Sequence, residues 1–103
     1  MKSKNTHLLN KEQIIEFLRE NKKFLEEEFG VTKIALFGSY ARDEQKKTSD
    51  IDLLITMKEV DFRKRLRLKD FLENHFKTKV DVGYFDSVRV FIMRYIQQDL
   101  MYV

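Results

Sequence analysis

Three short apolar runs alternate with segments of helical spacing, and this alternation restricts the fold more than any other feature of the sequence. The runs, which have the length and β-branched content of buried strands, are Val31–Phe37, Ile51–Met57 and residues 79–85. The predicted helices cover residues 11–29, 40–45, 62–76 and 86–96. The expected order is α-β-α-β-α-β-α, which is an α/β (α+β) domain with a small mixed sheet of about three strands flanked by helices.

Capping residues support the ends of these helices. Asn10 is a suitable N-cap for the first helix, and Gln13 stands three residues later, as a capping box requires. Gly30 is a natural C-terminal stop for the same helix. Asp61 and Asp86 are expected to cap the third and the final helix.

The overall charge gives no clear support for nucleic-acid binding. Twenty basic residues against seventeen acidic ones leave a net charge of +3, which is too small to indicate nucleic-acid binding. The basic run over residues 63–69 wraps around its helix, with Arg63 and Arg67 on one face and Arg65 and Lys69 on another. A solvated helix surface is the favoured interpretation.

Length and composition indicate one small intracellular domain. The 103 residues suffice for a single domain, with residues 1–8 expected to be frayed. The absence of cysteine excludes disulfides and thiolate metal sites and is consistent with a cytoplasmic protein. No run reaches the roughly 20 apolar residues of a membrane helix, so no membrane partner is expected.

The pair Gly38-Ser39 lies between a predicted strand and a short predicted helix. Glycine allows a close approach of the backbone to a ligand, and free N–H groups at a helix N-terminus suit phosphate. The Ser39 hydroxyl can add a further donor. The alternative is a plain turn in which Ser39 caps the helix.

Two carboxylates, Asp50 and Asp52, lie at the start of the second predicted strand. Alternate residues of a strand point the same way, so these two are expected on one face and Ile51 on the other. Neighbouring carboxylates repel unless a cation lies between them, and Mg²⁺ is the commonest hard cation with oxygen ligands. The alternative is a solvent-facing edge strand.

A third carboxylate, Asp81, lies between two valines of the third predicted strand. Burial of this charge is costly unless it is paired or binds metal. If the third strand pairs beside the second, Asp81 completes a triad able to hold two Mg²⁺ ions. The alternative is an ion pair with Lys77 or Lys79.

The segments Gly38-Ser39-Tyr40-Ala41-Arg42 and Ser49-Asp50-Ile51-Asp52-Leu53-Leu54-Ile55 together resemble the signature of the minimal nucleotidyltransferases. These are the smallest members of the DNA polymerase β-like nucleotidyltransferase superfamily. Their signature is Gly-Ser on a strand-to-helix turn, about ten spacer residues, and Asp-x-Asp on the next strand. The third aspartate of the family corresponds to Asp81, and the resemblance covers nearly the whole chain.

The resemblance implies a nucleotidyltransferase fold and specific roles. Gly38 and Ser39 would bind the β- and γ-phosphates of ATP, and Arg42 would lie near them. Asp50, Asp52 and Asp81 would be the catalytic, metal-ligating residues for two Mg²⁺ ions.

The resemblance also implies a partner. Family members pair with a small helical protein of the HEPN class, a toxin, and act as antitoxin by transferring AMP to its tyrosine. Most of the apolar residues of the final helix and tail, among them Phe91, Ile92 and Tyr95, are expected to be core, and some could form a partner-facing patch.

One residue departs from the family pattern. Asp43 stands where the family has a glycine after Gly-Ser-Tyr-Ala-Arg. Aspartate adopts a left-handed backbone more readily than most residues, but at some cost. Either Asp43 points away from the triphosphate, or its charge weakens nucleotide binding. The second case leads to an alternative function, a binding module that neutralises a helical partner by masking it.

Overall fold

A computed structural model describes residues 9–103 of the chain. Its sheet has four strands in the order β3-β2-β1-β4. β1 runs antiparallel to both β2 and β4, whereas β2 and β3 are parallel, so the sheet is mixed. The strands are β1 (Val31–Phe37), β2 (Ile51–Met57), β3 (Val80–Tyr84) and β4 (Met101–Tyr102).

Within residues 9–103, five α-helices and two short 3₁₀ turns accompany the strands. The helices are α1 (Lys11–Glu20), α2 (Lys22–Phe29), α3 (Gly38–Ala41), α4 (Phe62–Phe76) and α5 (Val90–Ile96). The 3₁₀ turns are Phe85–Ser87 and Gln97–Asp99. The predicted α/β class is confirmed. None of these helices has the length and apolar character needed to cross a membrane.

The single helix predicted over residues 11–29 is wrong, because the helix breaks at Asn21. This residue has φ −105° and ψ 12°, and it ends α1 and begins α2. Its side-chain amide donates to the carbonyl of Phe17 at 2.9 Å. Asparagine competes with the backbone for hydrogen bonds in this way, which disfavours it inside helices.

Most of the predicted helix ends are confirmed. The capping box of α1 is formed, with Gln13 N–H donating to Asn10 Oδ1 at 2.9 Å and Asn10 N–H donating to Gln13 Oε1 at 3.1 Å. Gly30 ends α2 in the left-handed conformation, with φ 72°. Asp61 caps α4 by accepting from the N–H of Lys64 at 3.1 Å.

Other predicted boundaries need correction. The helix expected over residues 40–45 is the shorter α3, which begins at Gly38 itself. Asp86 lies inside a 3₁₀ turn and does not cap α5, whose N-cap is Arg89. The fourth strand was not predicted, because two residues are too few to show an alternating pattern. The expected fraying of residues 1–8 lies outside the described residues.

The two faces of the sheet differ in what they carry. The face that we call the helix face packs Ile51, Leu53 and Ile55 of β2 into the main hydrophobic core. That core also contains buried residues of α1, α2 and α4. The opposite face, which we call the site face, carries Asp52 and Leu54, because successive side chains of a strand alternate.

Candidate active site

The turn between β1 and α3 approaches β2 very closely. Gly38 has φ 78°, a left-handed conformation that side chains rarely adopt. A Cβ atom built on Gly38 would collide with the carboxylate of Asp52. The residue before it, Phe37, pairs with Asp52 across the β1–β2 ladder. The backbone angle therefore favours glycine here, and the space that Asp52 occupies requires it.

Asp52 and Asp81 are direct neighbours in the sheet. The parallel register of β2 and β3 pairs them, as Ile51 pairs with Val80 and Leu53 with Val82. The condition stated for Asp81, that the third strand lies beside the second, is therefore met. β2 is an interior strand with a partner on each side, so the alternative of a solvent-facing edge strand is wrong.

Asp81 differs from its prediction in one respect. Its side chain is exposed on the site face and is not buried between the valines, since Val80 and Val82 point to the opposite, helix face. The argument from the cost of burial therefore fails. Among the ion pairs within residues 9–103, none joins Asp81 to Lys77 or Lys79, so that alternative finds no support either.

Asp50 lies one residue before β2 and is exposed. Because it lies just outside the strand, the expectation that it shares a face with Asp52 stays a prediction. It remains close enough for its charge to act on both Asp52 and the buried Tyr40 of α3. Asp50 therefore belongs to the same electrostatic cluster, but it is held by a loop.

The electrostatics of the cluster centre on Asp52. Its side chain is half-buried, and burial together with the negative charges of Asp81 and Asp50 raises the pKa of this carboxyl to about 6. The positive charge of Arg42 acts in the opposite direction. Three negative charges and one positive charge therefore meet where the turn after β1 touches β2.

The donor set of this cluster fits a hard cation such as Mg²⁺. Carboxylate oxygens are the ligands that Mg²⁺ prefers, and their mutual repulsion at Asp52 is the interaction that a cation would relieve. Within residues 9–103, no three acidic or histidine side chains form a ready-made metal cage. Mg²⁺ commonly uses one or two carboxylates and takes its other ligands from substrate phosphates and water.

Arg42 is held by two carboxylates. Its Nε donates to Glu44 Oε1 and its Nη1 to Asp99 Oδ2, both at 2.9 Å. Asp99 lies in the 3₁₀ turn before β4, and sequence reasoning did not identify it. The two residues are separated by 57 positions, and no local pattern could have indicated the contact.

Asp43 keeps the backbone conformation for which the family uses glycine. Its φ is 60°, in the left-handed region. Its carboxylate forms an ion pair with the Lys11 ammonium at 2.9 Å. The adjoining Gln45 side chain donates to the carbonyl of Leu9 at 3.1 Å. The segment after α3 is therefore attached to the start of α1, and the charge of Asp43 is paired.

Comparison with known proteins agrees with this geometry. Residues 18–103 match the family model of the nucleotidyltransferase domain. The protein adenylyltransferase MntA of Thermococcus cleftensis is 35% identical over 97 residues, which cover 93% of this chain and 98% of the relative. A Methanocaldococcus jannaschii protein, provisionally named a protein adenylyltransferase, is 42% identical over 93 residues, covering 88% of this chain and 95% of the relative.

Solved structures show the same fold. One is provisionally described as a minimal nucleotidyltransferase and has a TM-score of 0.74 at 26% identity. The match covers 94% of this chain and 98% of the chain in that structure. A toxin–antitoxin crystal structure with AMP-PNP has a TM-score of 0.64 at 26% identity. The match covers 91% of this chain and 72% of the matched chain in that structure. This chain therefore belongs to the nucleotidyltransferase domain family, as a minimal nucleotidyltransferase related to protein adenylyltransferases.

Proposed function

We propose that this chain transfers AMP from ATP, with Mg²⁺, to a tyrosine hydroxyl of a helical HEPN-type partner and so acts as its antitoxin. The observation that carries the proposal is the meeting of the Gly38 turn with Asp52, which is itself in register with Asp81. The relative named protein adenylyltransferase and the toxin–antitoxin structure with AMP-PNP support the reaction and the partner.

The reaction requires one bond to form and one to break. The acceptor oxygen attacks the α-phosphorus of ATP, and the bond from that phosphorus to the bridging oxygen breaks. Pyrophosphate leaves with the electron pair. The proton of the acceptor hydroxyl would pass to Asp81, whose carboxylate is exposed beside Asp52 and accessible to an incoming group.

The turn after β1 would hold the β- and γ-phosphates. Gly38 and Ser39 open α3, where backbone N–H groups have no partner within the helix. Arg42 lies one turn further on, and its charge already acts on the carboxylate cluster. To contact the triphosphate it would exchange at least one of its present carboxylate partners, Glu44 or Asp99.

Asp50, Asp52 and Asp81 would hold the metal. Mg²⁺, when bound, would supply positive charge to the phosphate oxygens as negative charge develops on them. The half-buried Asp52 would be the central ligand because Gly38 fixes one side of its carboxylate and Asp81 lies on the other. Asp50 stands on a loop and would be the most adaptable of the three ligands.

The test is transfer of label from ATP to the purified cognate HEPN-type protein in the presence of Mg²⁺. Label at the α-phosphate should appear on the partner, whereas label at the γ-phosphate should not. Asp52→Asn should reduce the transfer by at least about a thousandfold, because it removes the central metal ligand. Omission of Mg²⁺ should have a similar effect.

A matched variant controls for nonspecific effects of removing a carboxylate. Asp70 is exposed on α4, a helix that packs on the helix face of the sheet, opposite to the site face, so Asp70→Asn should transfer label like the wild type. Far-ultraviolet circular dichroism should show that all variants keep the fold. Transfer of γ-label, or full activity of Asp52→Asn, would contradict the proposed reaction.

The masking module is the second candidate, because Asp43 occupies the glycine position of the family. In that case a variant with both Asp50 and Asp52 changed to Asn would still bind and neutralise the partner. The ion pair between Asp43 and Lys11 favours the enzyme, since it neutralises the charge that was expected to disturb ATP. Neutralisation of toxin growth inhibition by the double variant decides between the two.

A further inference from the structure

Helix α5 is strongly apolar but buries none of its residues. Six of the seven residues of its sequence VFIMRYI are apolar. The exposed fractions are 73% for Val90, 64% for Phe91 and 77% for Tyr95. By contrast, α1, α2 and α4 each bury two or three apolar side chains in the core.

The exposed residues of α5 form one continuous face. At 100° per residue, Val90, Phe91, Arg94 and Tyr95 occupy a single arc of the helix, and Ile92, which is 44% exposed, borders this arc. Met93, on the other side of the helix, is half-buried. A contiguous apolar face exposed in this way is typical of an interaction site. We call Val90, Phe91, Arg94 and Tyr95 the α5 surface.

The charges of this surface restrict its partner. Within residues 89–96 the only charged side chains are Arg89 and Arg94, both exposed and both basic. In a symmetric pair of two copies, each α5 surface would meet the same basic surface. Like charges at an interface are costly, whereas acidic side chains on a partner would complement the arginines. The surface therefore favours an acidic partner over a second copy.

The position of α5 connects its surface to the candidate active site. The 3₁₀ turn Gln97–Asp99 follows α5 directly, and Asp99 forms the ion pair with Arg42 at 2.9 Å. Three residues span at most about 11 Å. The backbone N–H of Arg42 in turn donates to the carbonyl of Gly38 at 3.2 Å, and Gly38 is the residue that contacts Asp52. A protein bound on α5 would therefore lie beside the site at which its hydroxyl must react.

We propose that the α5 surface docks the acceptor protein, through an apolar helical face of that protein bordered by acidic side chains. The inference rests on the proposed function, because it takes the acceptor to be a helical protein. Beyond the proposed function, the inference identifies the surface of this chain that binds the acceptor protein and the side chains that the acceptor must present.

The test measures binding and AMP transfer separately, with the purified cognate HEPN-type protein as the probe. Phe91→Ala and Tyr95→Ala should each weaken binding by about tenfold or more, as expected for exposed aromatic anchors of an interface. Arg94→Glu should weaken it at least as much, whereas Arg94→Lys should keep most of the affinity. Isothermal titration calorimetry of the full-length chain gives the dissociation constants.

A matched control is available on α4. Phe62 is 61% exposed, similar to Phe91, but lies on α4 beside Arg65, outside the α5 surface. Phe62→Ala should bind the partner like the wild type. Equal weakening by Phe62→Ala and Phe91→Ala, or wild-type binding by the α5 variants, would overturn the assignment of the surface.

The two readouts separate this inference from the proposed function. If Asp52→Asn binds normally but transfers no AMP, while the α5 variants lose binding, both are supported. If the wild type binds through α5 but transfers no AMP, the proposed function fails and the α5 surface stands. A wild type that does not bind the probe overturns the surface. The assignment is also overturned if sedimentation shows that the wild type is a dimer and that Phe91→Ala is a monomer, because the α5 surface would then bind a second copy of this chain.

Discussion

The two faces of the sheet show how one strand can serve stability and chemistry at once. On the helix face, Ile51, Leu53 and Ile55 are fully buried in the main core. On the site face, the residue between the first two, Asp52, faces two other carboxylates and has a raised pKa. Because consecutive residues of β2 point to opposite faces, we expect substitutions one position apart to affect different properties.

The largest effect on stability is expected on the helix face. Leu53→Ala should lower the free energy of unfolding by about 2–5 kcal/mol, because it removes a fully buried side chain and leaves a cavity. Urea denaturation followed by circular dichroism measures this change. Asp52→Asn, one position away, should not destabilise the apo protein at pH 7. A loss of similar size in both variants would contradict the separation of the two faces.

A smaller effect is expected at the turn that joins the faces. Gly38→Ala should cost about 1–3 kcal/mol, since alanine is strained at φ 78° and its methyl group must displace the Asp52 carboxylate. Gly30→Ala is the matched control, because Gly30 has φ 72° but no atom lies within 4 Å of a Cβ placed there. The difference between the two variants isolates the contact with Asp52, and equal losses would argue against that contact.

The pH dependence of stability tests the charge cluster of the site face. Below pH 4, Asp52 is protonated in both the folded and the unfolded chain, and above its folded pKa of about 6 it is ionised in both. Between these values the folded state binds more protons, so stability falls as pH rises. We expect this contribution to be about 1 kcal/mol after allowance for solvent screening.

The measurement compares the wild type with Asp52→Asn by thermal unfolding between pH 4 and pH 7, without metal. Other carboxyls titrate in the same range, so the informative quantity is the difference between the two proteins. That difference should change between pH 4 and pH 6 and remain constant above. Addition of Mg²⁺ at pH 7 should raise the unfolding temperature of the wild type more than that of the variant.

The smallest effect is expected at the ion pair between Lys11 and Asp43. Both side chains are partly exposed, and ion pairs between exposed side chains contribute little to stability. Lys11→Ala should therefore leave the free energy of unfolding almost unchanged, yet it leaves the charge of Asp43 unpaired. ATP binding measured by calorimetry should weaken in Lys11→Ala and recover when Asp43→Gly is added. No change in ATP affinity would mean that Asp43 is too far from the nucleotide to matter.

Local patterns predicted much of the fold. Both β1 and β2 begin and end where the sequence indicates, as does α4, because each has clear periodicity and recognisable end signals. The break at Asn21 was missed because the apolar stripe continues across it. The strand β4 was missed because its two residues form a strand only through pairing with β1, and that pairing cannot be predicted from the local sequence.

The candidate site divides in the same way. The proximity of Asp81 to Asp52 was predicted on the condition that β2 and β3 be neighbours, which they are, whereas the register that pairs the two residues directly was not predicted. The contacts of Arg42 with Asp99 and of Asp43 with Lys11 could not be predicted, because they join distant segments through single surface ion pairs. The exposure of Asp81 was mispredicted because the valines beside it were taken to share its surroundings.

The contact between Gly38 and Asp52 also has a consequence for how such chains diverge. Asp43 shows that this chain accepts a non-glycine residue at φ 60°, so the backbone angle alone does not demand glycine at position 38. The carboxylate of Asp52 restricts position 38 more strongly, because it leaves no space for a Cβ atom there. If a descendant lost the chemistry and shortened residue 52, asparagine or aspartate would become acceptable at position 38. A residue other than glycine at that position would therefore indicate, from the sequence alone, a lineage in which the carboxylate of residue 52 has been lost.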